Sequence, residues 1–168
     1  MKKLFLIRHA KSSWEDLSLD DFNRPLNNRG NTSANLMGNL LKNQNIIPNL
    51  IYSSSALRAK KTTQIISKIL ETENKILYFD ELYNCELETI WETIKQTKES
   101  AETIFLVGHN PELNDFATFI AGFDEHLPTC GIIEIWFDVN KWNDISKKNS
   151  QYKSFNYPKL LEKSQNHR

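Results

Sequence analysis

The stretch Thr103-Ile-Phe-Leu-Val-Gly-His-Asn-Pro111 (TIFLVGHNP) decides the fold. Thr103–Val107 is an apolar run with no polar alternation, as expected of a strand covered on both faces. Asn110 and Pro111 then have the chemistry of a helix start, expected to continue to about Ala121. Passage from buried strand to helix within a few residues is the unit of a parallel sheet. The unit recurs along the chain. Lys3–Arg8 (KLFLIR) reads as a strand and Gly30–Asn43 as a helix. Asn49–Tyr52 precedes a helix over Ala56–Glu71, and Lys75–Phe79 precedes one over Leu87–Lys98. Gly131–Val139 adds a strand and Gln151–Tyr157 an edge strand. The expected fold is α/β, a three-layer sandwich with a mostly parallel central sheet and helices on both faces. Residues 1–158 form one domain in this reading, and residues 159–168 a polar, fraying tail.

Composition narrows the function. The chain has 168 residues, with 21 Lys plus Arg against 21 Asp plus Glu, hence no net charge. Such a chain has no global field drawing it to nucleic acid or to an anionic membrane, so neither is expected as a partner. No apolar run approaches the roughly 20 residues that span a bilayer. The run Leu4–Ile7 is too short for a signal peptide, and two cysteines make no disulfide framework. A cytoplasmic location is expected, and a monomer, since no oligomer seam is visible.

In doubly wound sheets ligands bind beyond the carboxyl ends of the strands. The residues expected there are Arg8 and His9 after the first strand, and Ser53–Ser55 with Arg58 after the second. Gly108, His109 and Asn110 follow TIFLV. Arginine offers a planar fork that grips phosphate, and the helix start after Asn110 adds backbone N–H donors. Histidine can attack phosphorus or move protons. Rival chemistries lack their motifs: there is no G-x-x-x-x-G-K-[ST] loop, no Cys with Arg six residues on, no G-x-S-x-G elbow and no zinc-type histidine spacing. Neither metal nor cofactor is expected. The long segment Lys11–Arg29 should wall the pocket, with Arg24 either touching phosphate or clamping Asp20 or Asp21. Ser53–Ser55 are expected to cap the following helix.

Three blocks together resemble the histidine phosphatase (phosphoglycerate mutase-like) superfamily. These are Leu6-Ile7-Arg8-His9-Ala10, Ser53–Thr62 (SSSALRAKKT) and Val107-Gly108-His109-Asn110-Pro111. Arg24-Pro25-Leu26, Thr129-Cys130-Gly131 and the short chain further resemble its SixA-type phosphohistidine phosphatases. The resemblance implies a catalytic group of His9, as the nucleophile that becomes phosphohistidine, with Arg8, Arg58 and His109 around the phosphoryl oxygens. Arg24, Asn110 and Ser12 are candidate substrate contacts. Ala10 stands where the family has glycine. Where many family phosphomonoesterases carry an acid, the register Leu82-Tyr83-Asn84 places Asn84, leaving Glu86 as a possible proton donor. A leaving histidine ring needs such a donor less than an alkoxide does, because its nitrogen protonates near neutral pH. The expected activity is therefore metal-independent dephosphorylation of protein phosphohistidine. A small phosphate ester as substrate, or a non-catalytic phosphate-binding interaction module, are the alternatives.

Overall fold

Burial with a period of two in the central strands sets the layers. In a computed structural model, which describes residues 1–166, the elements are β1 (Lys2–Arg8), α1 (Asn28–Asn43), β2 (Leu50–Ser54), α2 (Leu57–Leu70), β3 (Ile76–Phe79) and α3 (Leu87–Lys95). They continue as β4 (Thr103–Gly108), α4 (Glu112–Ala121), β5 (Ile132–Phe137), β6 (Ser150–Asn156) and α5 (Pro158–Asn166). Leu4 and Leu6 of β1, with Ile104 and Leu106 of β4, face a core built by α3 and α4. Phe5, Ile7, Phe105 and Val107 face the opposite core, under α1 and α2. Both faces of the two strands are thus covered, which is why they read as unbroken apolar runs.

The sheet order is β3-β2-β4-β1-β5-β6. β1 to β4 run parallel, β5 runs against them, and β6 pairs antiparallel with β5 at the edge. This is the mostly parallel α/β sandwich the sequence pattern implies. β1 and β4 lie side by side in the middle, with Arg8 the register partner of Gly108. The chain therefore leaves both strands at the same edge, where the two motif histidines follow. Among the described residues, no helix is long and apolar enough to cross a membrane.

Most boundaries shift by one or two residues from the expectation, with Ser53 and Ser54 inside β2 rather than after it, and three differences matter more. Most of the polar segment expected to fray is the helix α5: Pro158 is buried, and Leu161 packs against the core under α1 and α2. His167 and Arg168, the end of that expected tail, lie outside the described residues. α3 stops at Lys95 rather than Lys98, and the Thr97 hydroxyl beyond it pairs with the buried Tyr52 hydroxyl at 2.9 Å. α4 begins one turn-position later than expected, with Pro111 at its N-cap. Asn110 instead ties the loop before β5 to the helix: its Nδ2 donates to Leu127 O at 2.9 Å and its Oδ1 accepts from Asn114 N at 3.2 Å.

Candidate active site

The backbone fixes His9 before its side chain does anything. His9 N–H donates to Gly108 O at 3.0 Å, and Cys130 N–H to the carbonyls of Arg8 and His9 at 3.0 and 2.9 Å. The next residue, Ala10, donates its N–H to Thr62 Oγ1 at 2.9 Å, and Thr62 Oγ1 donates to Arg58 O at 2.8 Å. One threonine thus links the turn after β1 to the first turn of α2. Ala10 is fully buried in the core below and is not part of the cavity wall, so its methyl occupies no space above the ring.

His9 Nδ1 lies 2.7 Å from Ala10 O. A carbonyl only accepts, so Nδ1 carries the proton and Nε2 presents its lone pair. Arg58 Nε donates toward that nitrogen at 3.4 Å. Burial, with the nearby charges of Arg58 and Arg8, lowers the His9 pKa to about 3 despite the bond to Ala10. The ring is therefore neutral at neutral pH. His109 sits beside it, with ring centroids 5.1 Å apart. Burial first, then Arg58, lowers its pKa to about 4. His109 Nε2 pairs with Ser54 Oγ at 2.8 Å, and Ser54 Oγ also accepts the Ala56 N–H at 3.2 Å. A helix-capping role was expected of this serine run. No side chain caps α2, whose N-cap is Ala56; Ser54 takes the Ala56 N–H just ahead of the helix and orients His109 instead.

Arg8 donates through Nη1 to Leu127 O at 3.0 Å, and its pKa is lowered by burial and by Arg58. Arg58 reaches Asp21 twice, Nη1 to the backbone oxygen at 2.6 Å and Nη2 to Oδ2 at 2.9 Å. Arg24 clamps the same carboxylate from the other side, with Nη2 3.1 Å from Asp21 Oδ1. It also donates to Ser12 Oγ at 2.8 Å and stacks on Trp14, 3.5 Å from the ring centroid. Tyr83 OH donates to Asp21 Oδ2 at 2.6 Å. That bond, then the two arginines, holds Asp21 down at about 2, so it is a carboxylate throughout the working range. Among the described residues, two buried side-chain nitrogens have no partner, Arg8 Nε and His109 Nδ1. A buried donor or acceptor without a partner is costly, and here both belong to the same pocket.

Arg8, His9, Ser12, Arg24, Arg58, His109 and Asn110 all line one cavity of about 490 Å³, with Lys11, Trp14 and Glu15 on its wall. Of the candidate catalytic, substrate-binding and proton-donating residues, Glu86 is the one that does not line it, and Ser53–Ser55 and Gly108, also expected at the strand ends, do not line it either. Glu86 is exposed at the N-cap of α3 and does not line the cavity. Asn84 is exposed too, in a left-handed turn with φ of 53°. Glu15, exposed on the rim, is the one carboxylate among the described lining residues. The sequence reading passed over Tyr83, whose ring packs 5.5 Å from His109 while its hydroxyl holds Asp21. Lys11 and Trp14 fall in the segment expected to wall the pocket, and Thr62 in the second motif block, but no role was read for any of them. Only the paired acids Asp20-Asp21 signalled part of this network. Among the described residues, no group of three or more His, Cys, Asp or Glu is placed to hold a metal ion.

A family description, the histidine phosphatase superfamily (branch 1), matches residues 4–114. The chain belongs to this superfamily. By family and fold this histidine phosphatase is a hydrolase of phosphate. Among solved structures, it is similar to a protein from Agrobacterium tumefaciens provisionally named phosphohistidine phosphatase SixA: 28% identity, TM-score 0.79, covering 94% of this chain and 99% of that one. A protein histidine phosphatase SixA complexed with tungstate shares the fold at TM-score 0.81 and 20% identity, over 95% of this chain and 99% of the other. A chloroplastic protein of Arabidopsis thaliana, itself uncharacterised, is 29% identical over 152 residues, 85% of this chain and 70% of its own length.

Proposed function

We propose that this histidine phosphatase removes phosphate from protein phosphohistidine through a covalent intermediate on His9. The observation that carries the reading is the disposition of the His9 ring, neutral and with Nδ1 bonded to Ala10 O, so that the unprotonated Nε2, held only by a long 3.4 Å contact from Arg58 Nε, belongs to a cavity lined by Arg8, Arg58 and His109. In the first step Nε2 attacks phosphorus. A P–Nε2 bond forms as the P–N bond to the substrate imidazole breaks, and that ring leaves neutral, having carried its own proton. In the second step water attacks the phosphoryl group and the P–Nε2 bond breaks. Phosphoryl transfer passes through a loose transition state with charge spread over the equatorial oxygens, so positioning and cationic donors supply most of the catalysis. Arg8 and Arg58 meet that need, and the unpartnered Arg8 Nε and His109 Nδ1 gain partners when an oxyanion enters. The tungstate held by the SixA protein of the same fold supports an oxyanion here. Ser12, Arg24 and Asn110 are assigned to the substrate side of the cavity.

The substrate class rests on two features. Neither Glu86 nor Asn84 brings an acid to the phosphoryl site, the one carboxylate among the described lining residues, Glu15, is exposed on the rim, and a histidine leaving group tolerates that arrangement. The cavity wall is a loop rather than an inserted lid, which leaves room for a side chain on a protein surface. The test is a panel of a phosphohistidine peptide and simple alkyl phosphate esters, run with chelator, followed by acid-free mass spectrometry of the enzyme. Faster turnover of the peptide and phosphate on His9, absent in His9→Ala, is expected. Preference for the esters would reassign the substrate, and tight phosphate binding without turnover would make this a binding module.

A further inference from the structure

Beside the catalytic cavity lies a second one of about 260 Å³, and the two share Lys11 and Thr129 on their walls. Its other lining includes Arg29, Ser33, Lys159 and Glu162. Three cations therefore face one carboxylate in a small concavity. Lys11, Arg29 and Lys159 are exposed, and among the described residues none makes an ion pair or a side-chain hydrogen bond. They come from three separate places: the turn after β1, the first turn of α1 and the first turn of α5. Like charges gathered on one wall repel each other, and their local field attracts an anion. The opposite rim differs, since Arg24 and Arg58 there are already engaged by Asp21. The positive wall is therefore one-sided.

We propose that this second cavity is an anion subsite, which takes a second anionic group, carboxylate or phosphate, carried by the same molecule whose phosphoryl group sits at His9. The inference rests on the phosphatase reading of the adjoining cavity and adds to it a substrate class: molecules bearing two anionic groups. For a phosphohistidine protein, the second group is an acidic side chain flanking the phosphohistidine.

Calorimetric titration of a short series of phosphonoalkanoic acids, each against its parent alkylphosphonate, tests this without turnover. In the wild type, at least one spacer length should bind about 3- to 20-fold tighter than its parent, the yield of two or three solvent-screened charge contacts. In the double variant Arg29→Gln/Lys159→Gln, which leaves Lys11 alone, the ratio should fall to about 2 or below. The two positions are exposed, so the variant keeps the fold, and Lys11 stays in place because it also walls the catalytic cavity. A wild type with no gain at any spacer, or a gain above about 2-fold in the double variant, overturns the subsite. The phosphohistidine reading is scored separately, since the phosphonates bind whether or not such a peptide is a substrate. Glu-flanked and Ala-flanked phosphohistidine peptides then identify the source. Preference for the Glu-flanked peptide, lost in the double variant, assigns the anion to a protein. Equal turnover of both, with the phosphonoalkanoate gain intact, assigns it to a small molecule.

Discussion

Acidification should unfold the empty enzyme through its two active-site histidines. Their folded pKa values are about 3 for His9 and about 4 for His109, against 6.5 for the ordinary side chain. The unfolded chain therefore binds protons that the folded one refuses. For groups with depressed folded values, this contribution is complete above the unfolded value and is lost as the pH falls toward the folded ones. Between pH 8 and 5, each ring costs about 2 kcal/mol of stability, at 1.36 kcal/mol per pH unit below 6.5. Together they remove about 4 kcal/mol, a large part of the ~5–15 kcal/mol typical of a domain. Asp21 does not contribute in this window, because its carboxylate, held at about 2, differs from its unfolded value only at lower pH. Urea unfolding followed by tryptophan fluorescence, to which the fully buried Trp142 contributes, measures the loss directly. Tungstate in the cavity should flatten the dependence, because an anion between Arg8 and Arg58 favours the imidazolium forms. His9→Asn and His109→Asn should each remove about half of it. A wild-type stability that is level from pH 8 to 5, or a slope that survives in both variants, would refute the burial and charge argument.

Three further outcomes follow from the same contacts. Ser54→Ala leaves the buried His109 Nε2 without its partner and should cost about 1–3 kcal/mol in urea unfolding, with kcat falling more than KM rises. Asp21→Ala releases Arg58 and Arg24 from their shared anchor. The freed rotamers outweigh the relief of like charge on the ligand, so tungstate affinity by calorimetry should drop about 5-fold; Asp21 is half-exposed but both arginines are buried, so leaving them unpaired should also cost about 1–3 kcal/mol in urea unfolding. Gly30→Ala places a methyl in hard contact with the Lys11 carbonyl, where α1 meets the turn after β1. A loss of about 1–3 kcal/mol and weaker oxyanion binding are expected, and unchanged stability would show that the turn is free to move.

The layers were legible because β1 and β4 are covered on both faces and so carry no polar alternation. Arg8, His9, Arg58 and His109 were legible because each stands within a turn of a strand end, where the topology gathers side chains. The supporting network was not. Asp21 meets Arg58 across 37 positions and Tyr83 across 62, through the path of the Lys11–Arg29 segment, which has no period to read. An antiparallel bridge between Ser12 and Leu26 folds that segment back on itself, a pairing with no local signature. α5 escaped for a related reason: its composition is that of a solvated tail, and among the described residues Leu161 and the buried Pro158 hold it down.

Parallel pairing of β1 with β4 has an evolutionary corollary. The two imidazoles are spaced by the rungs of a ladder of main-chain hydrogen bonds, so neither connecting segment sets the gap between them. Sequence drift in the surrounding walls can thus retune what enters the pocket, while the separation of the paired rings stays tied to the width between neighbouring strands.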